Sequence, residues 1–173
     1  MLISVTYRQR GFTLIELIVV IIILSVLAAT ALPRFANLQT QARIAKLNGA
    51  MGAMKGAAAL SHAACLASNP QCTATEGSGT QLMEGVNITM VNTYPTAQAS
   101  GIIFAAGLDV SANSQDGYTV SGGGPAAGNI LKFMVTGNEP NNCFFTYTAP
   151  GPGQAPLFGT LNPPTPAGST TGC

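Results

Sequence analysis

Few residues in this 173-residue chain are of a kind that performs chemistry: one histidine, four cysteines and six acids. Ser61 and His62 are adjacent, but a nucleophile needs a base that a third group orients. No carboxylate lies near them in sequence, so His62 reads as a surface or packing residue on the last turns of a helix. The stretch DVSANSQDG, Asp109–Gly117, alternates oxygen-bearing side chains as a calcium loop does. Its sixth position is Ser114 where the turn needs Gly, and its twelfth is Val120 where the ion needs an acid, so it reads as a polar turn. A single histidine and the lack of any C-x-x-C leave no zinc-ligand spacing. Neither a Gly-rich phosphate loop nor paired catalytic carboxylates occur. No enzymatic activity, cofactor or metal is expected. Cys65, Cys72, Cys143 and Cys173 allow three pairings, of which sequence proximity favours Cys65–Cys72 and Cys143–Cys173. The residue that most needs explaining is Glu16, a lone acid near the start of a long apolar run.

That run, Phe12 to Leu32, is about 21 residues, enough to span a bilayer at 1.5 Å per residue. Arg8 and Arg10 precede it and would hold the short N-terminus in the cytoplasm. A cleaved secretory signal fits the basic leader and the small-x-small ATA at Ala29–Ala31, but the run exceeds the usual 7–15 residues and holds an acid. A plain transmembrane anchor fits the length and leaves Glu16 without a purpose, since a carboxylate in lipid costs about 2.5–3.5 kcal/mol even on lenient insertion scales.

The stretch GFTLIEL, Gly11–Leu17, behind a short basic leader resembles the N-terminal signature of type IV pilins and their pseudopilin relatives. The following PRFANLQTQARIAKLNGAMGAMKGAA, Pro33–Ala58, is similar in particular to mannose-sensitive haemagglutinin pilins, as is CFFTYT, Cys143–Thr148, ahead of a final Cys173. The resemblance implies cleavage after Gly11 by a prepilin peptidase, N-methylation of Phe12, and a role for Glu16 in assembly. It also implies a type IVa helix that bends at Pro33 and unwinds over roughly Ser25–Pro33 in the fibre. Pro33 itself lacks an N–H and crowds the carbonyl of Ala29, so a kink or local opening is expected from the residue type alone.

Past Pro33 the pattern turns amphipathic. Ile44, Leu47, Met51, Met54 and Ala58 step by three and four and form one helical stripe that would pack on a sheet of the same molecule, with Arg43, Lys46 and Lys55 off it. One helix could run from Phe12 to about Ala64, ended by Asn69-Pro70. From Val86 the signals are β: Val86–Val91, Gly101–Ala106, Gly117–Val120, Ile130–Thr136 and Cys143–Thr148 are short, β-branched or aromatic, and separated by Gly, Pro or Asn. The loop Gly137–Asn142 suits a hairpin between the last two. The expected fold class is α+β, a pilin-like lollipop with a long N-terminal helix packed on an antiparallel sheet head. Its parts would be a leader at 1–11, an apolar stem at 12–33, the amphipathic half-helix at 34–64, a connecting loop at 65–85, the sheet at 86–148 and a disulfide-bounded region at 149–173.

Charged residues make up only 8% of the chain, against about 25% in an average soluble domain. Weak charge repulsion makes self-association easier. The net charge is +1, and without Arg8 and Arg10 the seven basic residues fall to five against six acids. Beyond Lys55 the one basic side chain is Lys132, so no footprint for nucleic acid exists. By resemblance the chain is a structural subunit, a major pilin that polymerises for adhesion, attachment or motility. Its partners would be identical subunits, the prepilin peptidase and methyltransferase, and an inner-membrane assembly platform with its ATPase. It would wait in the inner membrane and end in an extracellular pilus. The alternative is a pseudopilin of a type II secretion system, which shares the Gly11–Glu16 signature.

Overall fold

The structure, a computed structural model, describes residues 11–68, 72, 79–111, 114, 116–136, 143–159 and 173. The leader residues 1–10, Asn69-Pro70, the loop 137–142 and the tail 160–172 lie outside the described residues. The chain falls into two compact units, Met1–Gln39 and Thr40–Cys173. Helix α1, Leu14–Ser68, runs for 55 residues and enters both.

In the first unit the apolar side chains of α1 face outward: Leu14 to Leu24 are all exposed, as are Val26, Leu27 and Leu32. Residue composition explains why this stretch is helical, because Ile, Leu, Val and Ala dominate it and Pro33 is its one breaker. The helix continues without a break through Pro33. A proline inside a helix removes one bond of the ladder, that to the carbonyl four residues earlier on Ala29. Ser25 and Thr30 donate their hydroxyls to the carbonyls of Ile22 (2.7 Å) and Leu27 (2.9 Å), a side-chain bond that costs helices a little regularity.

In the second unit the stripe found in the sequence is the buried face. Leu47, Ala50, Met54, Ala58, Ser61 and Cys65 are buried, with Ile44 and Met51 packed at the edge. Burial of each Leu or Met contributes about 1.5–3 kcal/mol. The basic residues beside the stripe are engaged, not simply solvated. Arg43 donates to the Cys173 carbonyl at 3.2 Å, Lys46 donates to the Asp116 carbonyl and lies over the Tyr118 ring, and Lys55 sits 5.6 Å above Phe158.

Two antiparallel sheets follow, where the sequence suggested one. The first has the order β1 (Gly79–Met83), β2 (Val86–Val91), β3 (Tyr94–Pro95); the second runs β4 (Tyr118–Gly122), β5 (Ile130–Val135), β6 (Phe144–Thr148), β7 (Leu157–Phe158). Strand β5 alternates as its sequence does, with Leu131, Phe133 and Val135 buried. Phe133 packs between Tyr118 (4.9 Å) and Phe145 (5.2 Å), and the Tyr147 hydroxyl donates to the Pro95 carbonyl at 2.7 Å, tying the sheets together. A long helix followed by antiparallel sheets is the α+β layout of a pilin fold.

Two expectations are corrected. Gly101–Ala106 is not a strand: Ala99–Ile103 forms a wide π-helical turn that runs into a short helical stretch at 104–105. The cause is local. The Gly101 backbone lies against Thr96, where an added Cβ would sit 2.3 Å from the Thr96 carbonyl oxygen, and its φ of −98° with ψ of −107° suits no strand. The segment 65–85 is not all loop either, since α1 extends to Ser68 and β1 begins at Gly79.

Candidate functional site

The site is the start of α1. Gly11, Phe12 and Thr13 precede the helix, and the Phe12 ring is 91% exposed. Thr13 is the cap. Its hydroxyl accepts from the Glu16 backbone N–H (3.3 Å), while the Glu16 carboxylate accepts from both the Thr13 backbone N–H (2.9 Å) and the Thr13 hydroxyl (2.8 Å). This is a reciprocal capping box, which satisfies two of the donors that every helix start leaves orphaned. The negative end of Glu16 also lies in the first turn, where the helix dipole favours it. Thr13 was not singled out in the sequence, although its signal is there as T-x-x-E immediately before an apolar run. Phe12, Ile15, Glu16, Val19 and Val20 together line a shallow groove of about 350 Å³.

The box changes what Glu16 means. An acid inside an apolar segment needs hydrogen-bond partners, and its own cap supplies two, both to the same oxygen, Oε2. Even with Glu16 inside it, the most apolar 18-residue window of α1 has a mean hydropathy of 2.8 and is entirely unburied. By length and composition it can cross a membrane. Such a surface is stable only in lipid or against other apolar surfaces.

The candidate residues of the second unit do not converge on chemistry. Ser61 is buried and donates to the Met83 sulfur at 3.1 Å. His62 instead stacks on Tyr94, with ring centres 4.1 Å apart, and its Nδ1 meets the Thr93 carbonyl (3.2 Å) and hydroxyl (2.9 Å). His62, Tyr94 and the 152–155 turn line an open cleft of about 500 Å³. Asp109 uses its carboxylate on the Ser111 N–H (2.8 Å), which holds its pKa below the usual range, and Ser114 donates to the Asp109 carbonyl. Cys65 is bonded to Cys72 with a Cα–Cα distance of 5.7 Å, and Cys143 to Cys173 at 4.8 Å.

Comparison with known proteins bears on this helix start. A pattern described as the prokaryotic N-terminal methylation motif matches residues 6–32. The chain is 45% identical over 53 residues to the major component of the type IV narrow pilus of Thermus thermophilus, a match over 31% of this chain and 46% of that one. It is 45% identical over 51 residues to a fimbrial protein of Eikenella corrodens, 30% of this chain and 32% of the other. These two matches thus span less than half of each relative. A third relative, the type IV major alpha-pilin of Moraxella bovis, aligns over 95% of this chain and 96% of its own length at 26% identity. No solved structure matches the chain. The motif and the named pilins support the type IV pilin family.

Proposed function

We propose that this chain is the major subunit of a type IV pilus, made as an inner-membrane precursor and polymerised through α1 into an extracellular fibre for adhesion, attachment or motility. The observation that carries the reading is the bare apolar surface from Leu14 to Leu32, opened by the Thr13–Glu16 box. A prepilin peptidase hydrolyses the Gly11–Phe12 bond and leaves a positive amine on Phe12, which the methyltransferase then methylates. That amine is four residues from Glu16, within reach of the carboxylate on its own chain or on a neighbour. An assembly platform and its ATPase extract the stem from lipid. The gap in the helical ladder at Ala29 and Pro33, flanked by Ser25, is where the helix opens in the fibre. The finer likeness to mannose-sensitive haemagglutinin pilins rests on Pro33–Ala58 and the Cys143–Cys173 arrangement.

Fibres sheared from cells and identified by mass test this. The expected product is a fibre whose bulk protein begins at N-methylated Phe12. A Glu16→Ala strain should retain membrane-inserted precursor and lose most of its fibres; fibre number equal to the unaltered strain would refute the role of Glu16. A chain found only in short periplasmic assemblies would point to the pseudopilin alternative.

A further inference from the structure

Most described charged side chains already have partners: Glu16 in its cap, Asp109 on Ser111, Lys46 and Lys55 over aromatic rings, Lys132 3.9 Å above Phe144. Arg34 and Glu84 differ. Among the described residues neither makes a hydrogen bond or ion pair, and each stands in apolar surroundings. Arg34 is exposed on α1 between Leu32 (68% exposed) and Phe35 (64%), with Leu38 (57%) one turn on. Glu84 is exposed at the β1–β2 turn and lines a groove of about 240 Å³ with Leu60 (65%), Val86 (43%) and Phe104 (50%).

The two patches are complements. One is a ridge of large apolar side chains bearing a cation, the other a groove of large apolar side chains bearing an anion. Both are exposed in the single chain, and apolar surface of this kind is stabilised when it is covered. They are different patches on one molecule. A contact between them is heterologous and leaves each copy with one of each still open, so it propagates as an open helical array. Charge sets the register, because sliding the ridge would place Arg34 against an apolar wall. We propose that the Leu60–Val86–Phe104 groove of one copy receives Phe35 and Leu38 of a second copy, with Glu84 pairing Arg34. This rests on the fibre reading above and names a surface by which copies meet outside the helix start.

Charge exchange tests it in cells producing the full chain. Glu84→Lys and Arg34→Glu should each lower sheared-fibre yield about tenfold while precursor levels in the membrane stay equal, because like charges meet. The double variant, which restores opposite charges, should recover yield to within about threefold. Independently, a photo-reactive phenylalanine analogue placed at position 104 should cross-link, in fibres, to the peptide holding Phe35 and Leu38 of another copy. Full yield from either single variant, or cross-links that map elsewhere, would overturn the contact and leave the pilus reading standing. No fibres from the unaltered chain would overturn both.

Discussion

A hydroxyl on Thr13 decides which partners the Glu16 carboxylate has. Removing it in Thr13→Ala takes away one donor to the carboxylate and the acceptor for the Glu16 N–H, at a cost of about 1 kcal/mol for a lost cap. The first-turn amides, exchanged in detergent micelles, should then exchange about fivefold faster, while amides past Val20 keep their rates. Equal rates at Leu14–Leu17 would mean that the box does not hold the helix start. Tyr147 makes a second residue-level prediction. Burial, reinforced by Tyr94, pushes its phenol well above the ordinary value of 10.0. The folded state therefore keeps its proton where the unfolded state loses it. Stability from this group is intact below pH 10 and falls as pH rises above it. Tyr147→Phe should flatten the alkaline fall in denaturant midpoint, and at neutral pH lose about 0.5–1.5 kcal/mol with the bond to Pro95.

Two elements show how local chemistry overrides a sequence pattern. Gly101–Ala106 is rich in Ile and Phe, which favour strands, yet the chain bends helically there because Gly101 must pass close to Thr96. Gly101→Ala should destabilise the second unit by about 1–3 kcal/mol, since backbone atoms of Thr96 cannot yield as a side-chain tip can. Urea unfolding would measure it, and a loss under 0.5 kcal/mol would contradict the close approach. The helix stripe and the alternation of β5 were legible because burial leaves a period of 3.6 or 2 in the residues. Strand β1, GTQLM, lacks β-branched residues beyond one Thr and was hidden; it exists through its pairing with β2. Strands β3 and β7 hold two residues each, too few to leave a period. The Thr13–Glu16 box was written in the sequence but masked by the question of a charge in lipid. The β2–β3 turn is a different case. Asn92 and Thr93 both have positive φ, 47° and 72°, where the β1–β2 turn places Gly85 at its second position. Thr93 holds a glycine-favouring place while its hydroxyl meets His62, a partnership no local pattern announces.

Across the whole molecule, 20 glycines and few charges leave a surface with little to keep copies apart, and the second unit depends on covalent closure for part of its stability. On the chain-entropy account, the Cys143–Cys173 bond, spanning 30 residues, contributes about 3.6 kcal/mol, and Cys65–Cys72, spanning 7, about 2.4. Serine pairs replacing each bridge should therefore lower the unfolding free energy unequally, with the longer loop losing about 1 kcal/mol more. An equal or reversed order in denaturant titrations would show that the bridges act on the folded state instead. The longer bridge also has a mechanical consequence. Tension applied to the chain outside Cys143 and Cys173 passes through the sulfur link, so β6 and β7 are never in the line of pull. A single molecule stretched between two handles would show its intervening residues as hidden contour, about 100 Å of it, released only when a reductant opens the link.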